Sequence, residues 1–151
     1  MKHPQKSWKI YRAEKKDAPA LGALAAKMWD HPAEELAAEF ESLLSEKEAA
    51  CFLARDGERD IGFAQCQLRH DYVEGTEGSP VGYLEGVYVE PEYRMQGCAR
   101  ALLQACESWA KEMGCREFAS DCELANQESL QFHLSAGFQE ANRIICFVKE
   151  L

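Results

Sequence analysis

One segment of the sequence combines residue types that can bind a phosphate group. It runs from Val87 to Ala99 and leads from a β-like stretch, through Arg94-Met95-Gln96-Gly97, into a strongly periodic helical pattern. A helix N-terminus presents unpaired N–H groups and the positive end of the helix dipole, which both favour an anion. Gly97 would let the backbone approach a phosphate closely, and Arg94 would add a positive charge. The glycine spacing is neither that of a Walker loop nor that of a dinucleotide-binding loop, so an ordinary helix N-terminus remains the alternative.

Two carboxylates stand at the ends or interruptions of apolar strand-like stretches. Glu85 lies inside the stretch 81–89, and Asp121 follows the stretch 117–120. Burying an unpaired carboxylate is costly, so a carboxylate in such a place needs a reason. A cationic substrate would supply one. Alternatively, Glu85 faces outward at an edge, and Asp121 is a turn or capping residue.

The elements that position these residues alternate between β and α patterns. Glycines inside the stretch 81–89, Gly86 among them, indicate a bulge or a closely approaching ligand. The pattern predicts strands at 8–13, 50–55, 61–68, 81–89, 117–120 and 143–150, and helices from about 17, over 33–45, from 99 to 113 and over 126–136. We therefore predict a single mixed α/β domain over residues 1–151.

The charge balance narrows the possible partners. The chain of 151 residues has 17 Lys and Arg against 26 Asp and Glu, for a net charge of -9. A nucleic-acid partner is disfavoured because phosphate binding needs a basic face. A cationic small molecule is favoured by simple attraction, although solubility alone would account for the same charge.

The seven cysteines are predicted to be reduced. The opening residues 1–6 are polar and no apolar stretch reaches about 20 residues, so we expect neither a secretory segment nor a membrane span. No cysteine pair has the C-x-x-C spacing of a zinc site, and no metal is predicted. The sequence indicates a cytoplasmic protein whose cysteines act as small apolar residues.

Two motifs, in order, resemble those of the GCN5-related N-acetyltransferase superfamily. Arg94-x-x-Gly97-x-Ala99 follows Val87-Tyr88-Val89, and Asn126-x-x-Ser129-x-x-Phe132-His133-x-x-x-Gly137-Phe138 lies downstream. The resemblance implies a mostly antiparallel mixed sheet flanked by about four helices, with two strands splayed at an acetyl-CoA site. The residues implied to bind acetyl-CoA are Val87, Val89, Arg94, Met95, Gln96, Gly97, Cys98, Ala99 and Asn126. Asn126 could also be a helix N-cap.

Three further patches resemble the bacterial aminoglycoside 6′-N-acetyltransferases that act as homodimers. They are 69–76, 79–89 and 117–121, and the likeness extends from about Trp29 to the end of the chain. In that family the positions matching Trp29, Tyr72, Glu85 and Asp121 line the aminoglycoside site. The resemblance implies transfer of acetyl from acetyl-CoA to a 6′-amine, and hence antibiotic resistance.

The predicted reaction is direct attack of the amine on the thioester. Carboxylates that hold an ammonium group oppose its deprotonation, so a proton acceptor is needed, and Glu85 is the first candidate. The leaving thiolate needs a proton donor as general acid. His133 stands where many superfamily members have Tyr, so His133 is either the candidate for this general acid or a packed helix residue. The alternatives are an acetyltransferase for another polycation, such as a polyamine or a basic peptide, and a non-catalytic drug or acyl-CoA binder.

The apolar run Ile144-Ile145-Cys146-Phe147-Val148 lies close to the end of the chain. Such a run suggests burial on both faces or against a partner. Together with the resemblance, it predicts a homodimer.

Overall fold

A five-stranded sheet forms the centre of the computed structural model, which describes residues 7–151. Residues 1–6, on which the expected absence of a secretory segment depends, lie outside the described residues. Neighbouring strands are consecutive in the chain; the first three pairings are antiparallel, and the last is parallel. The strands are β1 (Trp8–Arg12), β2 (Ala49–Asp56), β3 (Arg59–Arg69), β4 (Val81–Val89) and β5 (Phe118–Ser120).

Four α-helices cover the two faces of this sheet. They are α1 (Ala18–Ala25), α2 (Ala33–Leu43), α3 (Cys98–Glu112) and α4 (Gln127–Ser135). Helices α1 and α2 pack Leu21 and Phe40 against Phe63 on one face. Helix α3 packs Leu102 and Trp109 on the other face. Because both faces are covered, six consecutive residues of β2, 49–54, are buried.

A β-bulge interrupts the pairing of β3 with β4. Gln65 pairs with Gly86 and Cys66 pairs with Leu84, so Glu85 is the extra residue of β4. Parallel pairing of β4 with β5 covers only Gly82 to Leu84, whereas β4 continues to Val89. The two strands therefore part at the bulge, and the β5-facing edge of β4 is left open along its last five residues.

Most predicted elements are confirmed to within a few residues. The predicted long helix is α3, and Gly114, just beyond its end, has the positive φ of 92° expected of a C-terminal glycine. Asp17 precedes α1 but does not cap it with its side chain. Its carboxylate instead accepts hydrogen bonds from the Glu14 N–H at 2.8 Å and from Arg55 at 2.5 Å.

The strand predicted at 143–150 is wrong. Residues 139–151 form no regular secondary structure, and residues 144–151 are exposed. A strand needs a neighbour to pair its backbone groups, and none of the five strands pairs with this segment. We call residues 139–151 the C-terminal tail.

Two further observations concern absences within the described part of the chain. No helix among residues 7–151 is long and apolar enough to cross a membrane. All seven cysteines lie in this range, none forms a disulfide, and five of them are buried.

Candidate active site

The bulged carboxylate of Glu85 is held by an arginine from the neighbouring strand. Arg69, the last residue of β3, donates from Nε to Oε1 at 3.2 Å and from Nη2 to Oε1 and Oε2 at 2.9 and 3.0 Å. The Glu85 side chain is only 20% exposed and that of Arg69 39%. A half-buried carboxylate is thus paired within the protein, as its burial requires.

The same arginine connects Glu85 to a second carboxylate. The Arg69 guanidinium carbon lies 3.4 Å from the centre of the Tyr83 ring, and the Tyr83 hydroxyl donates a hydrogen bond to Oδ2 of Asp121. Burial, together with the bond to Asp121, raises the pKa of the Tyr83 phenol, so this hydroxyl stays a donor. Glu85, Arg69, Tyr83 and Asp121 form one continuous group, which we call the acceptor network.

The two aromatic residues predicted for the substrate site differ in environment. Trp29 is half-buried, stacks with Phe40 at 6.5 Å and meets the edge of Phe63 at 6.0 Å. It also lines a cavity of about 460 Å³ together with Glu85. Tyr72 is 77% exposed on the loop between β3 and β4 and lines a larger groove of about 1590 Å³, which Asp121 also lines. Trp29 therefore packs against the core on Phe40 and Phe63, and its role as a wall of the substrate site stays a prediction.

Two cavities therefore meet at the acceptor network. The smaller cavity lies on the side of α1 and α2, where Asp30, His31 and Glu39 join Trp29 and Glu85. The larger groove is lined by Arg69, Tyr83 and Asp121. The predicted substrate residues are thus divided between two cavities that share one group of hydrogen-bonded side chains.

The predicted phosphate-binding segment forms a tight loop at the start of α3. Met95 has φ of 62° and Gly97, the N-cap, has φ of 83°. The first turn of α3 contains no acidic residue, so nothing there opposes the helix dipole in attracting an anion. Arg94 donates from Nε to the carbonyl oxygen of Val89 at 2.8 Å. This conformation and charge fit the diphosphate of a coenzyme A molecule.

The open edge of β4 fits the rest of such a molecule. Val87 and Val89 lie on the part of β4 that β5 does not pair, where an extended amide-containing chain can add hydrogen bonds to the strand. Asn126 is the N-cap of α4, and its side chain accepts from the Ser129 N–H at 3.0 Å. The alternative role of Asn126 as a capping residue is confirmed, and its role toward the cofactor stays a prediction.

His133 lies beside the point where β4 and β5 part. Its Nδ1 is 2.7 Å from the carbonyl oxygen of Ser129, which can only accept, so Nδ1 carries a proton. In the neutral ring Nε2 then accepts from the hydroxyl of Ser120, 2.8 Å away. Ser120 pairs with Leu84 at the last position before the strands separate. The neutral ring is thus arranged to take up a proton at Nε2 rather than to release one there.

Three residues of this site were missed from the sequence. Arg69 and Tyr83 lie within the stretches 69–76 and 79–89 that carry the family resemblance, but neither was assigned a role. Ser120 was predicted only to lie in a strand. Arg69 directly precedes a loop that contains Asp71, Glu74 and Glu77, which was a usable signal for a balancing cation. For Ser120 the sequence carries no signal, because its partner His133 is 13 residues away on another element. Within residues 7–151, no cluster of His, Cys, Asp and Glu could hold a metal ion.

Known proteins resemble this chain over nearly its whole length. Residues 8–138 match the acetyltransferase (GNAT) family. An aminoglycoside N(6′)-acetyltransferase type 1 of Stenotrophomonas maltophilia is 44% identical over 143 residues, covering 91% of this chain and 90% of that protein. Its namesake from Acinetobacter haemolyticus is 41% identical, covering 85% of this chain and 88% of that protein.

Solved structures agree with these sequence relationships. AAC(6′)-Iy in complex with the bisubstrate analogue CoA-S-monomethyl-acetylneamine has a TM-score of 0.90 at 36% identity, covering 95% of this chain and 99% of that chain. The aminoglycoside 6′-N-acetyltransferase AAC(6′)-Ih from Acinetobacter baumannii has a TM-score of 0.90 at 35% identity, with the same coverage. The mixed α/β architecture predicted from the sequence is confirmed, and the chain belongs to the GNAT acetyltransferase family.

Proposed function

We propose that this protein is an aminoglycoside 6′-N-acetyltransferase that uses acetyl-CoA and thereby confers antibiotic resistance. The observation that carries the proposal is the acceptor network, which presents Glu85 and Asp121 beside the parting strands β4 and β5. Relatives that are 38–44% identical carry this activity in their names. We treat residues 1–151 as one N-acetyltransferase domain.

The acceptor site is proposed to bind a polycation through carboxylates and flat aromatic faces. Glu85, Asp121 and the acidic loop residues Asp71, Glu74 and Glu77 attract ammonium groups. Trp29 offers a ring fixed by its packing on Phe40, on which a sugar ring can lie. Tyr72 offers a second, more exposed ring in the larger groove.

The amine must lose a proton before or during its attack. Carboxylates stabilise its ammonium form and raise the pKa of the amine, so a proton acceptor has to lie close by. Glu85 is the proposed acceptor, directly or through water. His133 is a second one, because Nε2 can take the proton of the Ser120 hydroxyl while the hydroxyl oxygen takes one from the amine.

Acetyl-CoA, when bound, supplies an acetyl thioester as the electrophile: the C–S bond would break as the C–N bond forms, and the leaving coenzyme A thiolate would take up a proton from a nearby donor. We propose that the backbone N–H groups of Val87 and Val89 hold its pantetheine arm on the open edge of β4. The loop from Arg94 through Met95, Gln96, Gly97, Cys98 and Ala99 would hold the diphosphate, and Asn126 would contact the cofactor beside α4.

A comparison of 6′-amino and 6′-hydroxyl aminoglycosides tests the proposed function. Both classes carry the ammonium groups that Glu85 and Asp121 would bind, but only an amine is nucleophilic enough to react without strong base activation. We expect acetylation of the first class at the 6′ nitrogen, observed by mass spectrometry, and competitive inhibition by the second. Acetylation of both classes on another nitrogen would contradict the 6′ assignment. Turnover of spermidine but of no aminoglycoside would favour a polyamine acetyltransferase.

We further propose a cytoplasmic homodimer that assembles through the C-terminal tail. Ile144, Ile145, Phe147 and Val148 are all exposed in the single chain, and burying each would contribute about 1.5–3 kcal/mol. β5, at the edge of the described sheet, is only three residues long, and the groove beside it is lined by several tail residues. Reduced cysteines throughout the chain are consistent with the cytoplasm.

A further inference from the structure

Arg69 is a cation inside a site whose other features attract cations. Its guanidinium makes three hydrogen bonds to Glu85 at 2.9, 3.0 and 3.2 Å, and its carbon lies over the Tyr83 ring at 3.4 Å from the ring centre. A positive charge at this place repels an aminoglycoside, so binding alone gives no reason for it. Neutralising a half-buried carboxylate gives a structural reason, but a lysine could do that without the planar fork of N–H donors that a guanidinium presents.

The geometry favours a more specific role. Glu85 is the extra residue of the bulge, so the sheet does not fix its backbone as firmly as a paired residue. Three hydrogen bonds from one rigid fork fix the plane of the carboxylate instead. The fork is itself held by the Tyr83 ring, whose hydroxyl is bonded to Asp121.

The fork also decides which acceptor positions of the Glu85 carboxylate stay free for a ligand. Arg69 supplies two hydrogen bonds to Oε1 and one to Oε2. A carboxylate oxygen has two lone pairs, so Oε1 is fully used and Oε2 keeps one. Glu85 also lines the cavity that Trp29 and Gln65 form, so this remaining lone pair is the part of the carboxylate left for a substrate.

We propose that Arg69 is a positioning residue of the acceptor site, which holds Glu85 so that one lone pair of Oε2 meets the reacting amine. This inference rests on the proposed function and adds that Arg69 acts on turnover rather than on affinity. Arg69 thereby sets the separation of the two carboxylates, because it bridges Glu85 to Tyr83 and Asp121.

The test is Arg69→Met, which keeps the length of the side chain and removes the fork. We expect kcat for a 6′-amino aminoglycoside to fall at least tenfold while KM stays unchanged or falls, because a repelling cation has gone. Low millimolar guanidinium chloride should restore a large part of kcat, whereas the same concentration of sodium chloride should not. In the Glu85→Gln background, Arg69→Met should have no further effect on kcat, since the two residues act as a unit.

Arg55→Met is a matched control for loss of stability. Like Arg69, Arg55 pairs with carboxylate and lies over a tyrosine ring: it binds Asp17 at 2.5 Å and Asp60 at 2.7 Å, and it lies over Tyr11. Asp60 is at the other end of β3 from Arg69, roughly 30 Å away by strand rise. We expect this variant to lower the unfolding temperature with kcat per folded molecule unchanged and no response to guanidinium.

The outcomes separate the inference from the function on which it rests. A wild-type protein that acetylates no aminoglycoside refutes the proposed function. If the wild type is active and Arg69→Met keeps the wild-type kcat, whether or not its KM is raised, the positioning role is refuted. If Arg69→Met does not fold, Arg69→Lys is the second variant, because it keeps the charge without the fork. A reduced kcat of Arg69→Lys at unchanged KM supports the role, and a kcat of Arg69→Lys equal to that of the wild type overturns it.

Calorimetry with a 6′-hydroxyl aminoglycoside measures binding alone. Arg69→Met should bind this compound no more weakly than the wild type does, and weaker binding overturns the role.

Discussion

At the scale of single residues, Asp121 offers the simplest test of substrate binding. Its carboxylate accepts the Tyr83 hydroxyl and leaves its other oxygen for a ligand. We expect Asp121→Asn to raise the aminoglycoside KM by an amount equivalent to about 1.5–3 kcal/mol, the usual range for a hydrogen bond to a charged group. Affinity for acetyl-CoA, measured by calorimetry, should not change.

Tyr83→Phe is the control for this substitution. It removes the hydrogen bond to Asp121 but keeps the carboxylate charge and the ring under Arg69. Its effect on KM should be smaller than that of Asp121→Asn. If KM is the same for Asp121→Asn and wild type, Asp121 is a structural residue that only anchors Tyr83.

Gly97 tests the proposed binding of the diphosphate. Its φ of 83° strains any other residue by about 1–3 kcal/mol, and an Asp there also places a negative charge at the start of α3. We expect Gly97→Asp to abolish acetyl-CoA binding in calorimetry. Gly114→Asp provides the comparison, because Gly114 has a similar φ of 92° but lies at the other end of the same helix. Loss of stability without loss of affinity in both variants would contradict the assignment of this loop.

The sequence could nominate residues by type but not by partner. Glu85 and Asp121 were recognisable because a carboxylate interrupts an apolar strand or ends it. Arg69 was not, since it is 16 residues from Glu85 and reaches it only through the register of β3 against β4 and the bulge. That register is a property of the assembled sheet.

At the scale of elements, the bulge in β4 determines where Glu85 lies. A Cβ built on Gly86 would be 2.7 Å from Cζ2 of Trp29, which is anchored by Phe40. We expect Gly86→Ala to cost about 1–3 kcal/mol of stability through overpacking and to raise the aminoglycoside KM, because Trp29 and the bulge must move apart.

Gly62→Ala on β3 is the matched comparison, because it also crowds β4 but away from Trp29. Its Cβ would meet the carbonyl oxygen of Tyr88 at 2.8 Å and Val89 Cγ2 at 3.3 Å, on the face toward α3. It should cost similar stability, measured by urea unfolding, with an unchanged aminoglycoside KM. An equal rise in KM for both variants would mean that the bulge and Trp29 are not specific to the acceptor site.

Sequence periodicity predicted correctly those elements whose hydrogen bonds lie within the element itself, such as helices. Helix α3 was correct because its apolar residues recur at helical spacing and Gly114 ends it. The strand at 143–150 was wrong because an apolar run establishes only a need for burial, whereas a strand also requires a neighbour along the sheet. None of the strands in residues 7–151 supplies that neighbour to residues 144–148.

At the scale of the whole molecule, the net charge and the acceptor network favour the same class of ligand, a polycation. The net charge of -9 draws polycations toward the protein over the range of a Debye length. The carboxylates of the acceptor network act only at contact distance. The overall charge could be read from composition, but the network depends on the fold.

The C-terminal tail provides the last prediction, which concerns assembly. A mutation that removes apolar surface from the tail should weaken the proposed dimer, because association would bury Ile144, Ile145, Phe147 and Val148 together. We expect light scattering at micromolar concentration to give twice the chain mass of 17.0 kDa for wild type. Phe147→Glu should shift the mass to that of one chain, since it places a charge within the apolar surface. Lys149→Glu changes the charge of the same tail without removing an apolar group and should remain dimeric. A wild-type particle of one chain mass would refute the dimer, and loss of the dimer in both variants would mean that charge rather than apolar burial holds it together.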